Sequence, residues 1–136
     1  MRLFILPIIL VLPFASVAQH HLNCNELQSI QVTLSVNLAG QPRIKYISKS
    51  ELAKADLKIY LENSNHKIFG FVASYDCHSG IYYDLNSKHY LGNKIPAGDI
   101  FLDDLQIGDI ITLDCFVLEK NEKRVTTTGI LFEVVD

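Results

Sequence analysis

The sequence predicts an all-β protein, an antiparallel β-sandwich with one or two short helical turns. Three observations support this class. Apolar and polar residues alternate along several runs, strand-like runs recur every 8–15 residues, and the last two runs are separated by a short hairpin sequence. A period of two is typical of strands with one buried face, and regularly spaced short strands without long helices are typical of sandwiches.

The clearest strand signal lies at 29–38, where apolar residues at 30, 32, 34, 36 and 38 alternate with polar ones. Turn chemistry at 40–42 ends this run, because glycine and proline favour turns. A short second strand is predicted at 44–47. The next long alternation, at 57–62, predicts another strand, and the polar triplet at 63–65 predicts a turn after it.

A short helix is predicted between these strands. Ser48 is followed three residues later by Glu51, the spacing of a capping box, in which each side chain satisfies backbone N–H groups at a helix start. Leu52 and Ala53 continue the segment, so we expect one or two helical turns here. A second single helical turn is expected at 100–105.

The remaining runs predict three longer strands and one irregular region. The run at 67–76 is a strand in which Gly70 marks a bulge or a close approach. Region 77–98 is predicted to contain an edge strand at 81–83 and turns at 86–88 and 96–98. A long strand at 110–119, a hairpin loop at 121–123 and a last strand at 125–135 complete the chain.

The first 18 residues have the features of a secretory signal peptide. Arg2 precedes an uncharged apolar run at 3–14, and small residues at 15–18 form a cleavage site. Cleavage after Ala18 would leave 118 of 136 residues and, since one basic residue is removed, change the net charge from −3 to −4. A retained N-terminal anchor is the alternative. We therefore predict an exported protein, periplasmic or secreted, with a polar extension at 19–28 and one sandwich domain at 29–136.

Three cysteines, Cys24, Cys77 and Cys115, would remain after cleavage, and export allows them to oxidise. Three single-bridge pairings exist, and the sequence does not choose among them. We favour a disulfide between Cys77 and Cys115, because both lie in strand-like runs while Cys24 lies in a polar stretch. The alternative is that Cys77 and Cys115 are small buried side chains.

No catalytic motif or metal-ligand spacing occurs in the sequence, so we expect neither enzymatic activity nor a cofactor. The acidic residues between Asp99 and Asp109 lack the spacing of a calcium loop. The net charge is mildly negative, which argues against nucleic-acid binding. One alternative remains, a small ligand-binding or hydrolytic site assembled from Asp76, His78 and His89.

Four segments in a fixed order resemble a known family. They are ISKSEL at 47–52, FGFVASY at 69–75, LQIGD at 105–109 and GILFEV at 129–134. Their order and spacing over residues 40–136 resemble the C-terminal domain of GldM, the periplasmic shaft protein of the Bacteroidota gliding-motility and type IX secretion motor. The hairpin at 120–124 departs from the family's Pro-Asp-Gly-like turn.

The resemblance implies an immunoglobulin-like β-sandwich that works by protein–protein contact, with partners in the cell envelope. It implies no catalytic residue. Cleavage of the predicted signal peptide would leave no membrane span. In sandwiches of this kind we expect binding through loops or an exposed strand edge.

Overall fold

The computed structural model describes residues 23–77 and 84–136, and these residues form two β-sheets around a shared hydrophobic core. The predicted signal peptide at 1–18 lies outside the described residues. The elements in chain order are β1 (Thr33–Leu38), β2 (Gln41–Arg43), β3 (Tyr46–Ser48), α1 (Lys49–Leu52), β4 (Leu57–Glu62), β5 (Lys67–Cys77), β6 (Asp84–Leu91), β7 (Lys94–Ile95), a 3₁₀ turn (Ile100–Leu102), β8 (Ile110–Lys120), β9 (Lys123–Val125) and β10 (Ile130–Val135).

The strands pair mostly antiparallel, and the predicted all-β sandwich class is confirmed. One sheet has the order β2-β1-β4-β7, and the other has the order β3-β10-β8-β5-β6, with β9 also paired to β8. The exception to antiparallel pairing is β3, which runs parallel to β10. Of the predicted second strand at 44–47, only Tyr46 and Ile47 lie in a strand, β3, and β2 forms a hairpin with β1 partly where the sequence predicts a turn.

The four-stranded sheet follows the alternation in the sequence. In β1 and β4 the side chains of Val36, Leu38, Leu57 and Ile59 are almost completely buried. The strand at 57–62 is confirmed at both ends. The strand predicted at 29–38 begins later, at Thr33, because the preceding residues have a different neighbour.

Both short helical segments begin with a capping side chain. The Ser48 hydroxyl accepts a hydrogen bond from the Glu51 N–H at 3.3 Å, as the capping-box spacing predicts. The Asp99 carboxylate accepts one from the Phe101 N–H at 3.0 Å and begins the 3₁₀ turn. Neither segment exceeds four residues, and no helix in the described ranges is long and apolar enough to cross a membrane.

A bulge in β8 changes which residues of that strand reach the core. The β5–β8 register shifts on both sides of Gly70, the residue at which the sequence predicts a bulge. On β8, the two residues Cys115 and Phe116 lie opposite the single residue Phe71. Cys115 has a φ of 48°, a left-handed conformation that non-glycine residues rarely adopt. Ile111 and Leu113 face inward before the bulge, and Phe116 and Leu118 face inward after it. The bulge thus keeps both halves of the strand in one core.

The last predicted strand, 125–135, is interrupted. Both β9 and β10 pair with β8 in one continuous register, but residues 126–129 leave the ladder opposite the β8 bulge. Thr126 bonds instead to the N-terminal segment: its N–H donates to Gln28 O at 2.9 Å, and its carbonyl accepts from Ile30 N at 2.8 Å. The start of the predicted first strand is therefore a neighbour of this break.

The predicted turn at 86–88 is wrong. These residues lie in the middle of β6, which pairs with β5 over the whole length from Gly70 to Cys77. Polar residues are tolerated there because β6 is an edge strand with one solvated side. The edge strand predicted at 81–83 lies outside the described residues.

Candidate interaction surface

Two of the three residues of the predicted ligand site are described, and they do not converge. Asp76 and His89 are both exposed on the outer face of the six-stranded sheet. Asp76 pairs with Leu85, whereas His89 pairs with Val72, four positions further along β5. At about 3.3 Å per residue, the two side chains are attached about 13 Å apart. His78 lies outside the described residues.

The predicted Cys77–Cys115 disulfide is wrong, because Cys115 is bonded to Cys24, with a Cα–Cα distance of 5.2 Å. The β5–β8 register places Phe71 opposite Cys115, and Cys77 lies six residues further along β5. That separation is about 20 Å, and a disulfide requires Cα atoms within about 7 Å. Cys24 reaches β8 because the N-terminal segment runs beside the break at 126–129.

Asp99 and Asp109, the first and last residues of the acidic stretch, serve local structure. Besides capping the 3₁₀ turn, Asp99 binds the Lys88 ammonium through both carboxylate oxygens at 3.0 Å. Asp109 is buried, and its carboxylate accepts a hydrogen bond from the Gln106 N–H at 2.8 Å. In the described part of the chain, no three His, Cys, Asp or Glu side chains are grouped so that they could hold a metal ion.

The edge formed by β6 is the longest in the described sheets. It has eight residues and β5 as its only described strand neighbour. The other sheet ends are shorter: β2 and β3 have three residues each and β7 has two. An edge strand presents backbone donors and acceptors to which another extended chain can pair. The β6 edge is therefore the candidate interaction surface.

The hydrogen-bond pattern identifies which residues of β6 direct their backbone N–H and C=O groups away from β5. The Gly92 N–H donates to Phe69 O at 2.7 Å, and bonded pairs alternate along an antiparallel ladder. Tyr90, Lys88 and Asn86 consequently form the bonded pairs with β5, while Ser87 and Leu91 direct their N–H and C=O groups away from it. Leu91 also exposes 58% of its surface on the outer face, beside this open backbone.

Lys88, the one charged side chain in the middle of β6, is held by an internal partner. Besides the ion pair with Asp99, its ammonium lies 5.0 Å from the centre of the Tyr90 ring. Burial raises the pKa of Asp99, but hydrogen bonds from Phe101 and Lys88 outweigh it and hold that pKa below its usual value. Lysine on an edge strand normally discourages pairing with other chains. Here its charge is compensated within the molecule.

Sequence reasoning missed the β6 edge because its polar centre was interpreted as a turn. The available signal was the Gly92-Asn93 pair, whose turn chemistry ends an eight-residue strand that closes with Tyr90 and Leu91. Comparison with family models, curated proteins and solved structures finds no match for this chain.

Proposed function

We propose that the protein is an exported, non-enzymatic β-sandwich module that acts by protein contact in the periplasm or at the cell envelope. The resemblance to the GldM C-terminal domain suggests a role linked to gliding motility or type IX secretion. The apolar leader at 3–14 supports export. The alternative, a ligand-binding or hydrolytic site, has less support, since Asp76 and His89 are attached about 13 Å apart.

The β6 edge is the observation that carries this proposal. A partner contributes an extended segment that pairs with the outward N–H and C=O groups of Ser87 and Leu91, adding a strand to the six-stranded sheet. Main-chain hydrogen bonds supply affinity in this mode, and side chains on alternate positions supply specificity. Exposed Leu91 offers an apolar contact to the added strand.

The residues behind the family resemblance occupy structural positions consistent with a shared fold. The segment 47–52 spans the end of β3 and α1, and its Ile47 and Leu52 are buried in the core. The segment 105–109 leads into β8, with Leu105 fully buried and the Asp109 carboxylate closing the turn. These residues determine how strands enter the sandwich, and they support the fold that the resemblance implies.

The test uses two substitutions at one position. Ser87→Pro removes an N–H that faces away from β5 and places a ring at the edge, whereas Ser87→Ala keeps the N–H. Both variants should retain the far-ultraviolet spectrum and melting temperature of the wild type within a few degrees. Affinity capture from the native cell envelope should recover the same protein partner with the wild type and Ser87→Ala, and lose it with Ser87→Pro.

Two results would contradict the proposal. One is retention of the partner by folded Ser87→Pro, which would remove the β6 edge from the contact. The other is fractionation of the native protein with the cytoplasm, which would remove the envelope role.

A further inference from the structure

Two connections cross between the sheets near each other, and a cleft of about 300 Å³ lies between them. Residues 63–66 join β4 to β5, and Gly92 and Asn93 join β6 to β7. Each connection leaves one sheet and enters the other, because β4 and β7 belong to the four-stranded sheet. The volume is at the lower end of the range for ligand pockets, about 300–1,000 Å³. It suits a ligand the size of a dipeptide.

Hydrogen bonds hold the second connection in place. The Ile59 N–H donates to Asn93 O at 2.8 Å, and the Asn93 side-chain amide donates to Ile59 O at 2.9 Å. On the other sheet, the Gly92 N–H donates to Phe69 O at 2.7 Å. These bonds tie the connection to both β4 and β5, so the cleft is formed before any ligand binds.

The same bonds show which backbone groups open into the cleft. Because the N–H and C=O of Ile59 both bind Asn93, this residue faces away from β1. Leu61 lies two residues further along β4, so its N–H and C=O point the same way, beyond Asn93 and into the cleft. The side chains of Leu61 and Ile68 pack against the core and give the cleft an apolar floor.

His66 presents a defined hydrogen-bond donor at the rim of the cleft. Ser64 Oγ accepts a hydrogen bond from the His66 backbone N–H at 3.1 Å and lies 2.9 Å from His66 Nδ1. With the Ser64 hydroxyl hydrogen assigned to the second contact, Nδ1 is the acceptor and the ring proton lies on Nε2. A doubly protonated ring also carries a hydrogen on Nε2. In both states His66 therefore offers an Nε2–H to a bound acceptor.

The charged side chains at the cleft favour an anion. Lys67 lies beside His66, and its ammonium forms no ion pair with any described residue. Glu119, opposite Lys67 on β8, is paired with Arg124 at 3.2 Å. Glu62 lines a separate hollow on the β1 side of the sheet. The neighbouring carboxylates are thus engaged or directed elsewhere, and the Lys67 charge is left to a ligand.

We propose that this cleft binds a small carboxylate ligand, an N-acylated amino acid with an apolar side chain. Leu61 pairs with the ligand as with a strand residue: its N–H donates to the carboxylate, and its C=O accepts the ligand amide N–H. The Lys67 ammonium and the His66 Nε2–H bind the same carboxylate through charge-assisted hydrogen bonds. The apolar side chain of the ligand lies on Ile68.

Titration of the isotope-labelled mature chain with N-acetyl-L-leucine, followed by NMR, tests the site. The amide signals of Leu61, Lys67 and Asn93 should shift saturably, with a dissociation constant on the order of 1 mM for a ligand of this size. N-acetyl-L-leucinamide keeps the apolar group and the amide but lacks the negative charge. It should bind at least about tenfold more weakly.

Variants at the rim test the two carboxylate contacts. Lys67→Gln and His66→Phe should each weaken binding at least about fivefold. Lys67→Arg keeps the charge and should stay within about threefold of the wild type. Lys54→Gln, which removes an exposed lysine before the other end of β4, should have no effect. Because Lys67 is exposed and has no described ion pair, Lys67→Gln should also keep the wild-type melting temperature.

A short peptide that ends in leucine with a free carboxylate distinguishes two sources of the same chemistry, since the last residue of a peptide is also an N-acylated amino acid. Affinity equal to that of N-acetyl-L-leucine supports a free small molecule. A gain of more than about tenfold supports the same carboxylate site with a chain end as its occupant.

Three outcomes would overturn the proposal. They are the absence of saturable shifts up to about 20 mM ligand, equal affinity for N-acetyl-L-leucine and its amide, and wild-type affinity in Lys67→Gln. Ser87 lies five residues before Gly92, about 17 Å along the strand, so Ser87→Pro should leave this binding unchanged. Failure of the carboxylate site and failure of the β6 contact are therefore distinguishable.

Discussion

Removal of the Cys24–Cys115 disulfide should cost the protein much of its stability. The bridge joins residues 91 apart in sequence, and the loop-entropy relation for a loop of this length gives about 4–5 kcal/mol. A domain of this size is typically stable by about 5–15 kcal/mol. The variant Cys24→Ala/Cys115→Ala should therefore unfold at a much lower urea concentration than the oxidised wild type.

The bulge in β8 gives a second stability difference that can be measured without the bridge. Cys115 has a φ of 48°, where a non-glycine residue costs roughly 1–2 kcal/mol. Glycine adopts this conformation without that cost, so Cys24→Ala/Cys115→Gly should be more stable than the double alanine variant by about 1 kcal/mol. Both variants lack the bridge, so the difference between their free energies of unfolding measures the cost of the backbone conformation at position 115.

Urea unfolding followed by circular dichroism measures all three proteins, and peptide mapping under non-reducing conditions verifies the bridge. Cys77→Ala is the matched control, and it should keep the Cys24–Cys115 cross-link. A double alanine variant within about 1 kcal/mol of the wild type would refute the loop-entropy reasoning. A cross-linked peptide containing Cys77 and Cys115 would refute the pairing itself.

Three further predictions concern single side chains. Gly129→Ala should destabilise by about 1–3 kcal/mol in urea titrations, because a Cβ there would lie 2.5 Å from Leu113 O; an unchanged midpoint would contradict this close approach. Phe116→Ala should cost about 3–5 kcal/mol by the same assay, since Phe116 is fully buried; a loss below 1 kcal/mol would contradict it. The pKa of Asp99 is lowered in the folded state, so its carboxylate adds to the free energy of unfolding above the unfolded carboxyl pKa. This stabilisation is lost as the pH falls through the folded pKa. Lys88→Met should raise the pKa of Asp99 in carbon-detected NMR titrations and reduce this acid-dependent loss, and an unchanged titration curve would contradict the ion pair.

Alternation in the sequence predicted the strands well wherever one face is buried. The run at 57–62 became β4 without a shift of either end, and the capping spacing of Ser48 and Glu51 placed α1. Such local patterns determine which side chains turn inward. They do not determine which strand lies alongside, and this explains the errors at both ends of the chain.

The errors share a physical cause, which is that distant segments compete for the same backbone groups. Residues 126–129 have a strand-like sequence but leave the ladder, and Thr126 bonds to the N-terminal segment, which no local pattern indicates. Cys24 lies in a polar stretch that predicts no strand, yet that stretch lies against the break and brings Cys24 to Cys115. The β6 edge likewise cannot be predicted from any local pattern, because it arises only from the order of the strands.

The disulfide also has a mechanical consequence. Force applied to the chain before Cys24 is transmitted through the disulfide to Cys115 in β8. The 90 residues between the two cysteines are bypassed and are not stretched by it. The oxidised chain can lengthen only through residues 115–136, about 75 Å when fully extended. Reduction would add about 300 Å of extensible chain. In an oxidising compartment the domain is therefore a short, stiff link between whatever is attached to its two ends.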